Sequence, residues 1–166
     1  MIRTLIDPDT ALALVLEHAA PPSATQCSVY NALGTSLAES VIADADYPPF
    51  DRSMMDGYAV RVSDAVSTVD VTGEVAAGGI STNSVKPGKS IEIMTGAPCP
   101  EGTEAVVPKE DVTREGNRVT LPALIKPGQN ITRRGAECVM DTAILKAGDT
   151  ITPLALATIV TFGIEQ

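Results

Sequence analysis

The sequence predicts a mixed α/β chain rich in β structure: a small split α/β domain with a β-barrel-like or sandwich-like domain inserted into it. Three observations carry that prediction. From about residue 58 to residue 150, short β-branched runs alternate with glycine turns, the spacing of an all-β unit. Capped helical segments stand near both ends of the chain. Between them, Pro48-Pro49 forbids helix and marks a linker or hinge. The expected boundaries are an N-terminal helix within 1–22, the split domain in 23–44 and 143–166, and the inserted domain in 45–142.

The elements follow in order. Asp7 caps the first helix and Pro8 occupies a first-turn position where proline is tolerated. Leu12, Val15, Leu16 and Ala19 share a face at helical spacing, Leu14 makes the opposite side apolar too, and Pro21-Pro22 ends the helix. So apolar a short helix belongs inside a larger body, and its packing partner is expected to be missing from this chain. Residues 26–43 are read as a short strand, a helical turn and a second strand over Ser40–Ala43. The β-rich stretch offers Val69–Val71, Ile91–Ile93, Ala105–Val107, Arg118–Leu121 and Ala143–Leu145 as strands. Turns stand between them at Gly78-Gly79, Pro87-Gly88, Glu115–Asn117 and Pro127-Gly128. A last helix has Thr152 as cap, Pro153 in its first turn, a face of Leu156, Ile159 and Val160, and Gly163 as stop.

Composition narrows the function classes. The 166 residues carry 12 Lys and Arg against 21 Asp and Glu, a net charge of −9. That balance opposes sequence-independent binding of nucleic acid and adsorption to anionic lipid. Aromatics are 3 % and tryptophan is absent, which argues against a base-stacking surface. No window approaches the run of about 18 apolar residues that a membrane span needs, and the N-terminus has no signal-peptide pattern. Cys27, Cys99 and Cys138 are odd in number and far apart, the pattern of reduced structural thiols in a cytoplasmic protein. His18, the single histidine, lies beside Glu17 in the first helix and reads as solvated or packed.

Three segments are dense in turn residues and polar groups. Pro49–Ala59 holds Asp51, Arg52, Ser53 and Asp56 just before Gly57. It reads either as a polar linker or as a rigid turn displaying Asp56 to a hard cation or as a general base. Ile93–Gly102 runs from a strand into Thr95-Gly96 and two prolines, either a hairpin connection or a cradle for an anion. Pro127–Glu137 contains Arg133-Arg134-Gly135, which offers bidentate donors to an oxyanion or pairs with nearby carboxylates.

Taken in order, these segments resemble the MoeA/gephyrin family of molybdopterin molybdotransferases. Phe50-Asp-Arg-Ser-Met-Met-Asp-Gly-Tyr-Ala59 resembles the family's F-D-x-S-x-M-D-G-Y-A signature. Ile93-Met-Thr-Gly-Ala-Pro-Cys-Pro-Glu-Gly102 with Glu104–Val107 and Glu110 is similar to the next block. Ile125–Asn130, Arg133–Gly135 and the closing Ala147-Gly148, Thr152 and Gly163-Ile164 are similar to the third. The chain departs from the pattern at Gly135-Ala-Glu-Cys138, where the family reads Gly-Glu-Asp-Ile, and at Asp141, where a glycine is usual.

The resemblance implies the two N-terminal domains of such an enzyme, one inserted in the other, with the α/β domain that follows them in the family lying beyond this chain. It implies insertion of molybdenum from molybdate into adenylated molybdopterin, with Mg²⁺ held mainly in the missing domain, and no turnover by this part alone. It also implies a cytoplasmic homodimer whose cleft lies at the subunit interface, with a molybdopterin adenylyltransferase as a further partner. By motif position, Asp56 and Thr95 are the catalytic candidates, and Ser53, Arg133, Arg134 and Glu137 the substrate-binding ones. The alternative within the same family is a non-catalytic dimerisation or scaffold module.

Overall fold

The structure is a computed structural model that describes residues 5–20, 22–80 and 82–165. Mostly β with two helices, it divides into two compact units: residues 1–38 with 150–166, and residues 39–149.

The smaller unit is built on its helix caps. Helix α1 spans Pro8–His18, and the Asp7 carboxylate accepts from the backbone N–H of Asp9 and Thr10. Half of the predicted helix stop, Pro21, lies outside the described residues. Helix α2 spans Pro153–Thr161, and the Thr152 hydroxyl accepts from Ala155 N–H. The strand expected at the start of 26–43 does not form; a single 3₁₀ turn, Val29–Asn31, stands in the segment. Backbone bonds tie this turn region to the C-terminal part, from Gly34 N–H to Ile151 O at 2.9 Å and from Val29 N–H to Glu165 O at 3.1 Å. Val29, Ala32, Ile151, Ala155 and Ile159 are buried. On α2 the buried stripe is therefore Ala155 and Ile159, four residues apart, whereas Val160 of the expected face is 53 % exposed. Helix α1 buries nothing: Leu12, Val15 and Leu16 are 57 %, 64 % and 64 % exposed.

The described residues of the larger unit form ten strands. They are β1 (Val41–Ile42), β2 (Arg52–Ser53), β3 (Gly57–Val60), β4 (Thr68–Val75) and β5 (Lys89–Ile93). Then come β6 (Ala105–Pro108), β7 (Thr113–Glu115), β8 (Arg118–Thr120), β9 (Ile131–Thr132) and β10 (Ala143–Leu145). Six of them form one curled sheet in the order β6-β3-β5-β4-β8-β7, with β1-β10 and β2-β9 as separate antiparallel pairs. Within the main sheet only β4 and β5 run parallel. Alternation along the strands sorts the side chains into two cores. Tyr58, Val60, Val69, Val71, Ala105, Val107 and Val119 pack on one face. Ala59, Val75, Ile91, Ile93, Ala97, Val106 and Ile131 pack on the other. Val75 sits at the same parity as Val69 and Val71 yet joins the opposite core. The register shift between Val71 and Glu74 accounts for this, since an irregularity in the ladder re-aims the side chains beyond it.

Strand β3 is the centre of the unit. All four of its residues are buried, and it pairs with β5 on one side and β6 on the other. Gly57 is obligatory there, because a Cβ would stand 2.1 Å from Val107 O on the neighbouring strand. At Asp141 the backbone adopts φ +66°, a left-handed conformation that glycine takes freely and that aspartate tolerates. Asp141 N–H bonds to Ala43 O at 2.9 Å, tying that turn to the segment just after β1.

Candidate functional site

Strand β2 is two residues long, yet all three motif segments meet on it. Arg52 and Ser53 pair with Thr132 and Ile131 of β9. On the other side Ser53 N–H donates to Ala97 O at 3.0 Å, and Gly96 N–H donates back to Ser53 O at 2.8 Å. Cys99 N–H donates to Asp51 O at 2.8 Å and Met54 N–H to Asn130 O at 2.9 Å. Segments separated by about 40 and 80 positions in the chain are thereby held in one frame.

The turn after β2 is closed locally. Ser53 is 2 % exposed; its hydroxyl donates to Met55 O at 2.6 Å and accepts from Met55 N–H at 3.3 Å. Ser53 therefore shapes the turn that presents Asp56. The Asp56 carboxylate lies at the surface, and its Oδ1 accepts from both Thr95 N–H (2.7 Å) and Thr95 Oγ1–H (2.8 Å). Gly96, at φ +80°, turns the chain directly after Thr95 while its own N–H stays tied to Ser53 O. The two Thr95 bonds, the amide's first and the hydroxyl's second, hold the Asp56 carboxyl below its usual range, and the Lys109 charge adds to them. A carboxylate so stabilised is a weak base at neutral pH. What it offers is a fixed negative charge and a hydrogen-bond acceptor.

A second cluster joins Asp46 and Asp51, just before β2, to Arg133 and Arg134, just after β9. Arg133 Nη1 donates to Asp51 Oδ2, and Arg134 N–H donates to the same carboxylate's Oδ1 at 2.8 Å. Arg134 Nε donates to Asp46 Oδ2 at 2.6 Å, while Met140 N–H binds Asp46 Oδ1 at 2.9 Å. The paired arginines thus turn to two different carboxylates, as adjacent residues leaving a strand do. Their side chains stay 57 % and 65 % exposed. At that exposure solvent screens each pair strongly, so its main effect is orientation. Glu137 Oε1 accepts from Arg52 Nη2 at 2.5 Å, and the Arg52 guanidinium lies 5.9 Å from the Tyr47 ring centroid. The structure therefore joins Asp56 to Thr95, and sets Arg133, Arg134 and Glu137 in a separate network of ion pairs.

One part of the site escapes sequence reasoning. Lys109 N–H donates to Asp56 O at 3.1 Å, and Lys109 Nζ sits 3.2 Å from Glu92 Oε1. The other oxygen of Glu92 takes Arg114 Nη1 at 2.8 Å, and the same nitrogen reaches Tyr58 OH at 3.1 Å. The signal lay in Ile91-Glu-Ile93: a charge at the middle of an otherwise apolar strand needs a partner on its own face.

The cysteines and the histidine stand apart from these clusters or are held protonated. Burial, then the Asp51 charge, pushes the Cys99 thiol up to about 11, and Cys27 and Cys138 are also unbridged. His18 is exposed, its Nδ1 2.9 Å from Leu14 O. Among the described residues no three His, Cys, Asp or Glu groups gather to hold a metal ion. The donors among the described residues therefore gather no Mg²⁺ site of three or more such ligands. No helix among them is long and apolar enough to cross a membrane.

Comparison with known proteins places this geometry. The chain is 36 % identical over 162 residues to the molybdopterin molybdenumtransferase of Haemophilus influenzae, covering 95 % of this chain and 40 % of the relative. It is 31 % identical to the Bacillus subtilis protein of the same name, covering 97 % and 40 %. The crystal structure of the molybdopterin biosynthesis MoeA protein from Pyrococcus horikoshii OT3 superposes with a TM-score of 0.92 at 33 % identity, covering 98 % of this chain and 45 % of that one. The chain thus spans about 40 % of the curated relatives' length. A family model described as the MoeA N-terminal region, domains I and II, matches residues 6–163, and the chain belongs to that family.

Proposed function

We propose that this chain is the N-terminal part of a molybdopterin molybdenumtransferase, one that inserts molybdenum from molybdate into adenylated molybdopterin. The observation that carries the reading is the Asp56–Thr95 pair. Residues from two motif blocks 39 positions apart converge on one carboxylate oxygen at the surface. A core-building role would bury such a pair; a display role exposes it. The expected finer assignment follows, with a split domain in 23–44 and 143–166 around an inserted domain in 45–142.

Each residue has a role in that reading. Asp56 supplies a fixed charge and acceptor that orients a substrate group. Thr95 fixes Asp56, and Ser53 fixes the turn beneath it. Arg133 and Arg134, steered by Asp51 and Asp46, present guanidinium donors to phosphate or molybdate oxygens. Glu137, held by Arg52, sets the position of its carboxylate. The site is half of a cleft completed by the following domain and by a second subunit of a homodimer, which also supplies the ligands for Mg²⁺. The chain alone is expected to have no turnover, to work in the cytoplasm, and to receive its substrate from a molybdopterin adenylyltransferase.

The test is a chimera in which this chain replaces the matching segment of the Bacillus subtilis relative. It is expected to insert molybdenum, and Asp56→Asn within it to lower insertion at least ten-fold at unchanged Tm. An Asp56→Asn chimera that works at the wild-type rate overturns the reading. A second reading, a non-catalytic dimerisation or scaffold module, is favoured by the bare apolar stripe of α1. It predicts an inactive chimera and an isolated chain that is dimeric by sizing.

A further inference from the structure

We propose that Lys109 is an anion-binding residue of the Asp56–Thr95 site, its ammonium held beside Asp56 by Glu92 to receive an oxyanion of phosphate or molybdate type. The inference rests on the reading above and deepens it. The problem it answers is electrostatic. The chain carries a net charge of −9, and the displayed group at the site is itself a carboxylate. An anionic substrate approaching Asp56 meets repulsion unless a cation stands close by.

Lys109 is that cation. Its backbone N–H is bonded to Asp56 O, so its position relative to the Asp56 turn is fixed by the main chain. Its side chain is 37 % exposed, so the head reaches solvent. Of an ammonium's three donors, one goes to Glu92 Oε1 at 3.2 Å and a weak one to Met94 Sδ at 3.9 Å. The third remains for a ligand. Lys109 and Asp56 feel each other's charge: it helps lower the Asp56 carboxyl and, behind the Glu92 hydrogen bond, helps raise the lysine.

Glu92 holds the ammonium without consuming it. The carboxylate is 15 % exposed and shared: Arg114 Nη1 takes its second oxygen at 2.8 Å. A carboxylate neutralised from behind by a guanidinium competes less strongly for the lysine than an isolated one. The result is a part-exposed ammonium tied to Glu92 and near enough to Asp56 for the two charges to feel each other, with charge left over for an incoming oxyanion. It comes from the 3₁₀ turn Lys109–Asp111, of which the motif blocks take only Glu110.

The experiment is an NMR titration of the 166-residue chain with inorganic phosphate and, separately, with molybdate, at constant ionic strength held by chloride. The Thr95 and Lys109 amide resonances report on the site. Wild type is expected to bind either anion with a Kd in the millimolar range. Lys109→Gln is expected to weaken binding at least ten-fold, while Lys109→Arg stays within about three-fold of wild type. Asp56→Asn is expected to tighten it by removing a repelling charge. Dispersed amide spectra verify that each variant is folded. Lys109→Gln binding like wild type overturns the inference, as does a wild-type chain whose Thr95 amide responds to neither anion. These outcomes are separable from the chimera's activity. An active, Asp56-dependent chimera with Lys109-independent anion binding sinks only the role of Lys109. Lys109-dependent anion binding with an Asp56-independent chimera sinks only the assigned activity.

Discussion

Gly57→Ala is the sharpest structural perturbation this fold offers. Strand β3 lies between β5 and β6, and the added Cβ would stand 2.1 Å from Val107 O, 2.8 Å from Val107 C and 3.0 Å from the Pro108 Cα. All three atoms are backbone, so no side chain can swing aside. Reaching an ordinary contact of 3.4 Å requires β3 and β6 to part by about 1.3 Å (3.4 − 2.1) at Gly57. That opening breaks or stretches about two adjoining backbone bonds, among them Lys109 N–H to Asp56 O. At about 1 kcal/mol each, plus about 1–3 kcal/mol of overpacking strain, the cost is about 3–5 kcal/mol. With a urea m-value near 2 kcal/mol/M, the midpoint falls by about 1.5–2.5 M. The chain has no tryptophan, so far-UV circular dichroism and the fluorescence of the buried Tyr58 follow unfolding. Gly78→Ala is the comparison: its φ is +75° but no atom lies within 4 Å of the added Cβ. It is expected to cost about 1 kcal/mol, from backbone conformation alone. A Gly57→Ala midpoint within 0.5 M of wild type, or no lower than that of Gly78→Ala, refutes the packing argument.

Other expectations follow from the same structure. Val66 is a β-branched residue at φ +57° and 71 % exposed, so Val66→Gly relieves strain and sacrifices no packing. A net stabilisation of about 0.5–1 kcal/mol is expected, after the entropy glycine adds to the unfolded chain, and a lowered Tm contradicts it. Five carboxylates of the larger unit are held below their usual range, Asp70 among them through its hydrogen bond from Lys89. The Thr95 amide lowers Asp56, and the Met140 amide lowers Asp46. For Asp51 and Glu92 burial works the other way, but bonds from Arg134 and Arg133, and from Arg114 and Lys109, outweigh it. Depressed folded values mean stability that is complete above the unfolded values near pH 4 and lost as pH falls through the folded ones. Tm is therefore expected to stay level from pH 7 to pH 5 and to drop below about pH 4; a Tm that rises between pH 5 and pH 3 contradicts the assignment.

The helix caps were legible because capping is local: Asp7-Pro8 and Thr152-Pro153 carry the start of each helix within a few residues. So were the strands with β-branched runs, Val69–Val71 and Ile91–Ile93 among them. The central strand β3 was hidden. Gly-Tyr-Ala-Val has no alternation because both its faces are buried, and it begins inside a segment that reads as a polar turn. The parallel pairing of β4 with β5 had no local signal either, since a parallel register is settled by contacts across the sheet.

At the site, motif position pointed to Asp56 and Thr95, and their hydrogen bonds are what the fold adds. The ion pairs of Arg133 with Asp51 and Arg134 with Asp46 span 82 and 88 positions, beyond any local pattern. The unusual Asp141 occupies a turn whose positive φ explains why a glycine is the ordinary choice there. The apolar face of α1 was legible from its helical spacing, and its Leu12, Val15 and Leu16 stand exposed in the structure.

In the proposed function, this chain completes a composite site and does not contain it. Calorimetric titration of the isolated chain with adenylated molybdopterin, with and without Mg²⁺ and molybdate, tests it most directly. The account predicts no heat of binding at micromolar concentrations from the chain alone, and clear binding once the chimera restores the missing part. Micromolar binding by the isolated chain that is lost on Asp56→Ala would contradict it, because the larger unit would then carry a whole ligand site of its own.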